Sequence, residues 1–272
     1  MTRRIDPINF GTNVLERMPE LPSLIGNMKT LDGSFLRGDE GVAVIDDTRF
    51  QSFSQRMAGD LAQLRYSLER VGAHHVVLEG AHIYGQETPG ERHYLEMENA
   101  GLLSSWLDSQ GYQVNNALLI DDFHSDGRVA FDPAEYVKEA ARRGWSVDRV
   151  FFEGEMASIA EAVVDTIRKT RGVIEEGDTV SFKRVNLRGV NGHKTPRLSC
   201  AVLDAGFSLA KLTTADAVIN VLTPDLRSQQ RNMRRLVAAA LGEDVLPIMN
   251  LYVSLEPNEE KPCRTGSHGE LR

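Results

Sequence analysis

The fold of this chain is decided between residues 76 and 126, which read VVLEGAHIYGQETPGERHYLEMENAGLLSSWLDSQGYQVNNALLIDDFHSD. Apolar runs within 75–79 and 117–120 are typical of parallel strands that are covered on both faces. The residues between them predict a helix over 91–109, with its apolar side chains along one side and Gly111 at its end. A strand, a helix and a second strand predict one βαβ unit with a polar crossover loop.

The same alternation extends in both directions along the chain. Asp132 and Pro133 begin a predicted helix that Gly144 ends, because aspartate caps a helix and proline suits its first turn. The other predicted elements are strands over 41–46, 149–152 and 217–221, helices over 53–71, 158–169, 198–209 and 228–241, and an extended run over 246–253. The pattern predicts an α/β fold with a Rossmann-like parallel sheet and helices on both faces.

We expect one domain over 1–272. Within it, residues 1–70 form an N-terminal extension, and the charged, glycine-containing segment 171–196 forms an insertion or flap.

Composition narrows the class of protein. The 272 residues are 41% hydrophobic and carry a net charge of -8, which argues against a general nucleic-acid surface. A local basic patch remains at 227–235, where arginines recur at helical spacing. With two cysteines, no secretion signal and no apolar run long enough for a membrane span, we expect a cytoplasmic protein.

Polar side chains follow the predicted strands at the edge where parallel sheets bind ligands. The candidates for substrate contact at this edge are Glu79, Asp122, His124 and Glu153. In addition, Asp122, His124 and Asp126 have the DxHxD spacing of some binuclear metallohydrolases, and an extended backbone places alternate side chains on one face. This pattern supports an alternative function, a metal-dependent hydrolase, while the same residues also suit loop capping.

Several short motifs follow one another in a fixed order along the chain. They are TPGERHYLE at 88–96, ALLIDDFH at 117–124, VFFEGE at 150–155, Asp204 in a predicted helix, TPD at 223–225 and KPCRT at 261–265. In order and spacing they resemble class I aminoacyl-tRNA synthetases of the tyrosine and tryptophan branch, over about residues 75–268. His93 stands where the family's HIGH motif begins, and Lys261 stands where its KMSKS motif begins.

The resemblance implies a HUP-type sheet. It also implies ATP with Mg²⁺ as the cofactor if the enzyme activates its substrate, and no ATP if the enzyme uses an aminoacyl-tRNA. It implies a catalytic role for His93, Lys261, Arg264 and Thr265, and nucleotide contacts for Gly90, His93, Glu96 and Asp225. It also implies that Arg197 and Asp204 bind the polar ends of the substrate.

The expected function is a standalone synthetase-like enzyme of the ligase or aminoacyl-transferase kind. It would activate an amino acid or a related carboxylic acid with ATP, or transfer an aminoacyl group already made, in small-molecule biosynthesis. The transfer variant resembles cyclodipeptide synthases, which share this core and use no ATP, but the position of their nucleophilic serine reads Glu79-Gly80-Ala81 here. A homodimer is expected by resemblance, and tRNA is a less favoured partner because no anticodon-binding domain is recognised. Leu95 and Glu96 depart from the HIGH pattern, so a catalytically inactive ligand-binding protein is a further alternative.

Overall fold

The computed structural model describes residue 16 and residues 18–84, 91–121, 132–152, 155, 157–171, 200–241 and 246–253. Its strands are β1 (Thr30–Asp32), β2 (His75–Tyr84), β3 (Gln113–Asp121), β4 (Arg149–Phe152), β5 (Ala217–Leu222) and β6 (Ile248–Tyr252). Its helices are α1 (Leu21–Gly26), α2 (Gly33–Arg37), α3 (Asp47–Arg56), α4 (Ala58–Val71), α5 (Glu91–Ser109), α6 (Pro133–Arg142), α7 (Ala157–Arg171), α8 (Cys200–Leu212) and α9 (Arg227–Leu241). None of the helices in the described ranges is both long and apolar enough to cross a membrane.

The strands form one sheet in the order β1-β4-β3-β2-β5-β6. Among the described strands, β1 runs antiparallel to its neighbour β4, and the other pairings are parallel. From β2 the chain moves outward through β3 to β4 and then returns to the other side of β2 to form β5 and β6. The direction of winding therefore reverses between β2 and β5, as in a Rossmann-like α/β fold, and the predicted fold class is confirmed.

Local signals in the sequence fix most of the element boundaries. The Asp132 carboxylate accepts a hydrogen bond from the Ala134 N–H at 2.9 Å, with Pro133 in the first turn of α6. Gly144 follows that helix with φ 84°, in the left-handed region that glycine occupies without strain. The predicted helix over 91–109 coincides with α5.

Upstream of β2, two predictions differ from the structure and one strand was not predicted. Residues 41–46 form no strand, because the Ala43 N–H donates to the carbonyl of Ala141 in the last turn of α6 at 2.8 Å and the Val44 side chain is 94% exposed. The predicted helix over 53–71 is two helices, α3 and α4, which meet at Met57. The short edge strand β1 was not predicted.

The central strand β2 is longer than predicted, and this difference moves one candidate residue. The pairing of β2 with β3 shifts register between Glu79 and Ala81, which makes Gly80 a bulge and lets the strand continue to Tyr84. Glu79 therefore lies inside the strand rather than in the loop that follows it.

The bulge packs against a buried tryptophan. A Cβ atom on Gly80 would collide with Ala100 and with the Trp145 ring, so only glycine fits there. The Trp145 ring nitrogen donates to the Asn116 side-chain oxygen at 3.0 Å, and the Asn116 N–H donates to the Asp148 carboxylate at 2.7 Å. Partial burial of that carboxylate raises the pKa of Asp148, although the hydrogen bond from Asn116 opposes the shift.

Candidate functional site

The carboxyl ends of β2 and β5 lie side by side where the winding reverses. In open parallel sheets this edge forms the crevice in which ligands bind. From β5 the chain passes through the buried Thr223 into a single 3-10 turn, Pro224–Leu226, and then into α9. This turn contains the backbone of Asp225, one of the predicted nucleotide contacts.

His93 lies in the first turn of α5, on the β2 side of this edge. It is 3% exposed, and its ring meets the Tyr136 ring of α6 edge to face, with 6.4 Å between centroids and 84° between planes. Glu96, one turn further along α5, is also buried. The structure thus brings together two of the predicted nucleotide-binding residues and adds Tyr136. A tyrosine at the fourth position of an amphipathic helix gives no sequence signal beyond that of a core residue.

Asp204 lies on the β5 side. Because α8 precedes β5 and runs back along it, the first half of α8 is at the carboxyl edge of the sheet. The Asp204 carboxylate accepts hydrogen bonds from Gln229 Nε2 at 2.7 Å and from Gln230 Nε2 at 3.2 Å, both in the first turn of α9. These contacts place Asp204 beside the turn that contains Asp225, although the two residues are distant in sequence.

Gln230 was not predicted as a site residue. It is 5% exposed, and its Oε1 is buried without a hydrogen-bond partner among the described residues. An amide oxygen that is removed from water and lacks a donor is costly, typically about 1–3 kcal/mol. A donor group that reached this oxygen would remove that cost.

Glu79 forms an ion pair in the interior of the protein. Its carboxylate contacts the ammonium of Lys211 on α8, and the side chains of both residues are almost fully buried. The Lys211 Nζ also donates to the Asn220 side-chain oxygen at 3.2 Å and lies 4.1 Å from the centroid of the Phe207 ring. Glu79 thus has a protein partner, and its role in substrate binding stays a prediction.

This ion pair continues as a row of polar side chains across neighbouring strands. Asn220 lies opposite Glu79 in the register of β2 and β5, and Asn250 lies opposite Asn220 on β6. The Asn220 amide donates to the Asn250 oxygen at 3.0 Å, and the Asn250 amide donates to the Tyr252 hydroxyl at 3.3 Å. The only hint of this row in the sequence is the asparagine within the apolar run of β5.

The other predicted site residues lie outside the described residues. They are Gly90, Asp122, His124, Asp126, Glu153, Arg197, Lys261, Arg264 and Thr265. Within the described parts of the chain, no group of three or more His, Cys, Asp or Glu side chains is placed to hold a metal ion. The DxHxD metal site therefore stays a prediction.

Comparison with known proteins gives a loose similarity in fold. No protein-family model matches the chain, and no curated protein matches it. Solved structures that match include a Campylobacter jejuni protein provisionally described as an arginyl-tRNA synthetase, at 10% sequence identity and a TM-score of 0.46. The match covers 75% of this chain and 60% of that chain. It does not point to the tyrosine and tryptophan branch.

Proposed function

We propose that the chain is a synthetase-like enzyme that binds ATP at the carboxyl edge of β2 and β5 and activates the carboxyl group of an amino-acid-like substrate. The observation that carries this proposal is the reversal of winding between β2 and β5, with His93 on one side of the crevice and Asp204 with Gln230 on the other. In the activation step, a carboxylate oxygen attacks the α-phosphorus of ATP, and pyrophosphate leaves with the bonding electron pair.

The β2 side of the crevice suits the nucleotide. The first turn of α5 lies at this edge, where the backbone N–H groups and the helix dipole favour a phosphate. His93 is the third residue of that turn and is held in place by Tyr136. Lys261 and Arg264 are the cations that we propose to neutralise the leaving pyrophosphate, because charge accumulates there as the bond breaks.

The β5 side suits the amino group of the substrate. A protonated amine carries several N–H donors, and the Asp204 carboxylate and the buried Gln230 Oε1 are both acceptors at this edge. The carboxylate binds an ammonium group more strongly than a hydroxyl group, because the hydroxyl carries no positive charge. The proposal therefore favours an amino acid over a simple carboxylic acid.

ATP–pyrophosphate exchange tests this function directly. The wild-type protein is incubated with ATP, labelled pyrophosphate and each of the common amino acids, and label in ATP is measured. We expect exchange with a small subset of amino acids and a loss of about tenfold or more in His93→Asn. His74→Asn is the matched control, since His74 is exposed at the opposite end of β2. Equal exchange in wild type and His93→Asn would contradict the assignment of His93.

Gln230→Leu tests the amine contact separately. We expect the KM for the amino acid to rise about tenfold while the KM for ATP is unchanged, because one hydrogen bond to a charged group is lost. A rise in both values would indicate a general disturbance of the site.

Glu96 favours a second candidate, a ligand-binding protein without catalysis. Its carboxyl group is buried one turn after His93, where an anion opposes the binding of a triphosphate. Under this alternative, thermal melting shifts with an amino acid or a nucleotide, but no amino acid supports exchange.

A further inference from the structure

A second cleft lies along the outer edge of the sheet, beside β6. It has a volume of about 460 Å³ and runs along β6, between α4 and α9. The residues that give it its character are Tyr66 and Arg70 of α4, Arg227 and Arg234 of α9, and Tyr252 of β6. A cavity of this size is large enough for a ligand of about the size of one nucleotide.

The charge of this β6-edge cleft opposes that of the whole chain. Its lining includes three arginines, Arg70, Arg227 and Arg234, and one carboxylate, Asp60, whereas the chain carries a net charge of -8. An excess of cations in one cleft of an acidic protein selects an anionic ligand, because the rest of the surface repels it.

The arginines are arranged to present hydrogen-bond donors. The Arg227 guanidinium lies 4.8 Å from the centroid of the Tyr252 ring, so its plane is supported by an aromatic side chain. Arg234 donates to the carbonyl of Ile248 through one nitrogen, and a guanidinium carries five N–H donors. Planar guanidinium groups match the oxygens of a phosphate in pairs, which a lysine does not.

The cleft also contains aromatic surface. The Tyr66 side chain is 60% exposed, and Tyr252 forms part of the same lining. An exposed tyrosine beside arginines is the combination on which nucleic-acid bases stack while the phosphate is bound by cations.

From these features we infer that the β6-edge cleft binds a nucleotide, with its phosphate on Arg227 and Arg70 and its base on the tyrosine rings. A free nucleotide and a nucleotide within a single strand share this chemistry. An extended peptide added to the edge of β6 is disfavoured, because Arg234 already occupies the Ile248 carbonyl that such a strand would use. The inference concerns a site distinct from the crevice and does not depend on the proposed function.

Fluorescence anisotropy with the full chain tests this inference. The probe is a fluorescein-labelled single-stranded oligonucleotide of about eight residues, titrated at about 50 mM and about 200 mM salt. We expect saturable binding that weakens with salt and falls about tenfold in Arg227→Gln, because one phosphate contact is lost. Tyr66→Ser is expected to weaken binding by a similar factor, because stacking is lost.

Two control variants separate this cleft from other sites. Arg235→Gln removes an exposed arginine of the same helix that does not line the cleft, and His93→Asn alters the proposed ATP site. Both are expected to bind the oligonucleotide within about twofold of wild type. An equal loss in Arg235→Gln would overturn the inference in favour of a general charge effect, and an equal loss in His93→Asn would assign the ligand to the crevice.

Competition identifies the source of the nucleotide. Displacement of the probe by AMP but not by inorganic phosphate indicates a free nucleotide as the ligand, and binding of the oligonucleotide that AMP does not displace indicates a single strand. Equal binding of polyglutamate would overturn the inference, because an anion without bases would then suffice. No binding of the oligonucleotide or AMP at the lower salt concentration would also overturn it. Failure of this test leaves the exchange assay unaffected, so the two proposals fail independently.

Discussion

Replacing Lys211 with methionine tests how much the stability of the protein depends on the buried ion pair between Lys211 and Glu79. The change removes the charge that faces Glu79 but keeps an unbranched side chain of similar length in α8. It leaves the Glu79 carboxylate buried without its cation and the Asn220 oxygen without the 3.2 Å hydrogen bond from Lys211. Breaking a buried ion pair on one side typically costs about 3–5 kcal/mol. We therefore expect Lys211→Met to lower the free energy of unfolding by about 4 kcal/mol.

The double variant Glu79→Gln/Lys211→Met provides the internal check. With both charges removed, no uncompensated ion remains, so we expect the double variant to be about 2 kcal/mol more stable than Lys211→Met alone. Lys138→Met is the matched control. Lys138 lies 3.8 Å from Glu40, but both side chains are about 40% exposed, and such pairs contribute about 0–1 kcal/mol.

Urea unfolding of the full chain, followed by circular dichroism, gives the free energies of unfolding by linear extrapolation. The reasoning would be refuted if Lys211→Met cost no more than Lys138→Met, or if the double variant were no more stable than Lys211→Met. Either result would mean that the pair is solvated or that its partners rearrange.

Three further variants test local features of the fold. Gly80→Ala is expected to lower the free energy of unfolding by about 2 kcal/mol in urea, because the added methyl group collides with Trp145 beneath the bulge. Asp46→Ala is expected to cost about 1 kcal/mol in the same assay, because the Asp46 carboxylate accepts from the Arg49 N–H at the start of α3. Asp148→Asn is expected to become more stable relative to wild type as the pH rises from about 4 to about 7, measured by urea unfolding at each pH.

The sign of the last prediction follows from the raised pKa of Asp148. The folded protein binds this proton more tightly than the unfolded chain does, so the stability it contributes is present below the ordinary value of 3.8. That contribution is lost as the pH rises through the raised pKa. Asparagine has no such loss and keeps an oxygen that can accept from Asn116. If the difference in the free energy of unfolding between Asp148→Asn and wild type did not change with pH, the raised pKa of Asp148 would be contradicted.

Controls are available for the other two variants. Gly59→Ala places a methyl group in α4 where nothing lies within 4 Å, so it is expected to stabilise by about 0.5–1 kcal/mol. If Gly80→Ala behaved in the same way, the bulge would not be tightly packed. Asp46→Asn keeps a capping oxygen and is expected to restore most of the loss in Asp46→Ala. Equal stability of the two Asp46 variants would show that capping is not the cause.

The secondary structure from β2 onward was predictable because its signals are local. Strands covered on both faces read as apolar runs, and α6 carries its own start at Asp132 and its own end before Gly144. The segment 41–46 was wrongly predicted as a strand because its apolar residues have strand propensity. Val44 is exposed, and none of the described strands pairs with this segment. Propensity does not provide a partner, and a strand needs one.

The candidate site was predictable only in part. The βαβ pattern predicted that the loops leading to His93 and Asp225 lie at the same edge of the sheet, but it did not predict that β2 and β5 are neighbours. The contacts of Asp204 with Gln229 and Gln230 depend on how α8 packs against α9. No periodicity in either helix reports that pairing. The patch at 227–235 was visible as helical spacing of arginines, but only Arg227 and Arg234 of these line the β6-edge cleft.

By itself, the sequence determined that β2, α5 and β3 form a parallel unit with its polar crossover at one edge. The apolar runs of the strands and the periodicity of the helix are both patterns of residues that are close together in sequence. The tertiary structure alone decided that β2 continues through a bulge at Gly80 and that Glu79 meets Lys211, 132 residues away. A buried charge is stable only with its partner, and the position of that partner depends on the packing of α8 against the sheet.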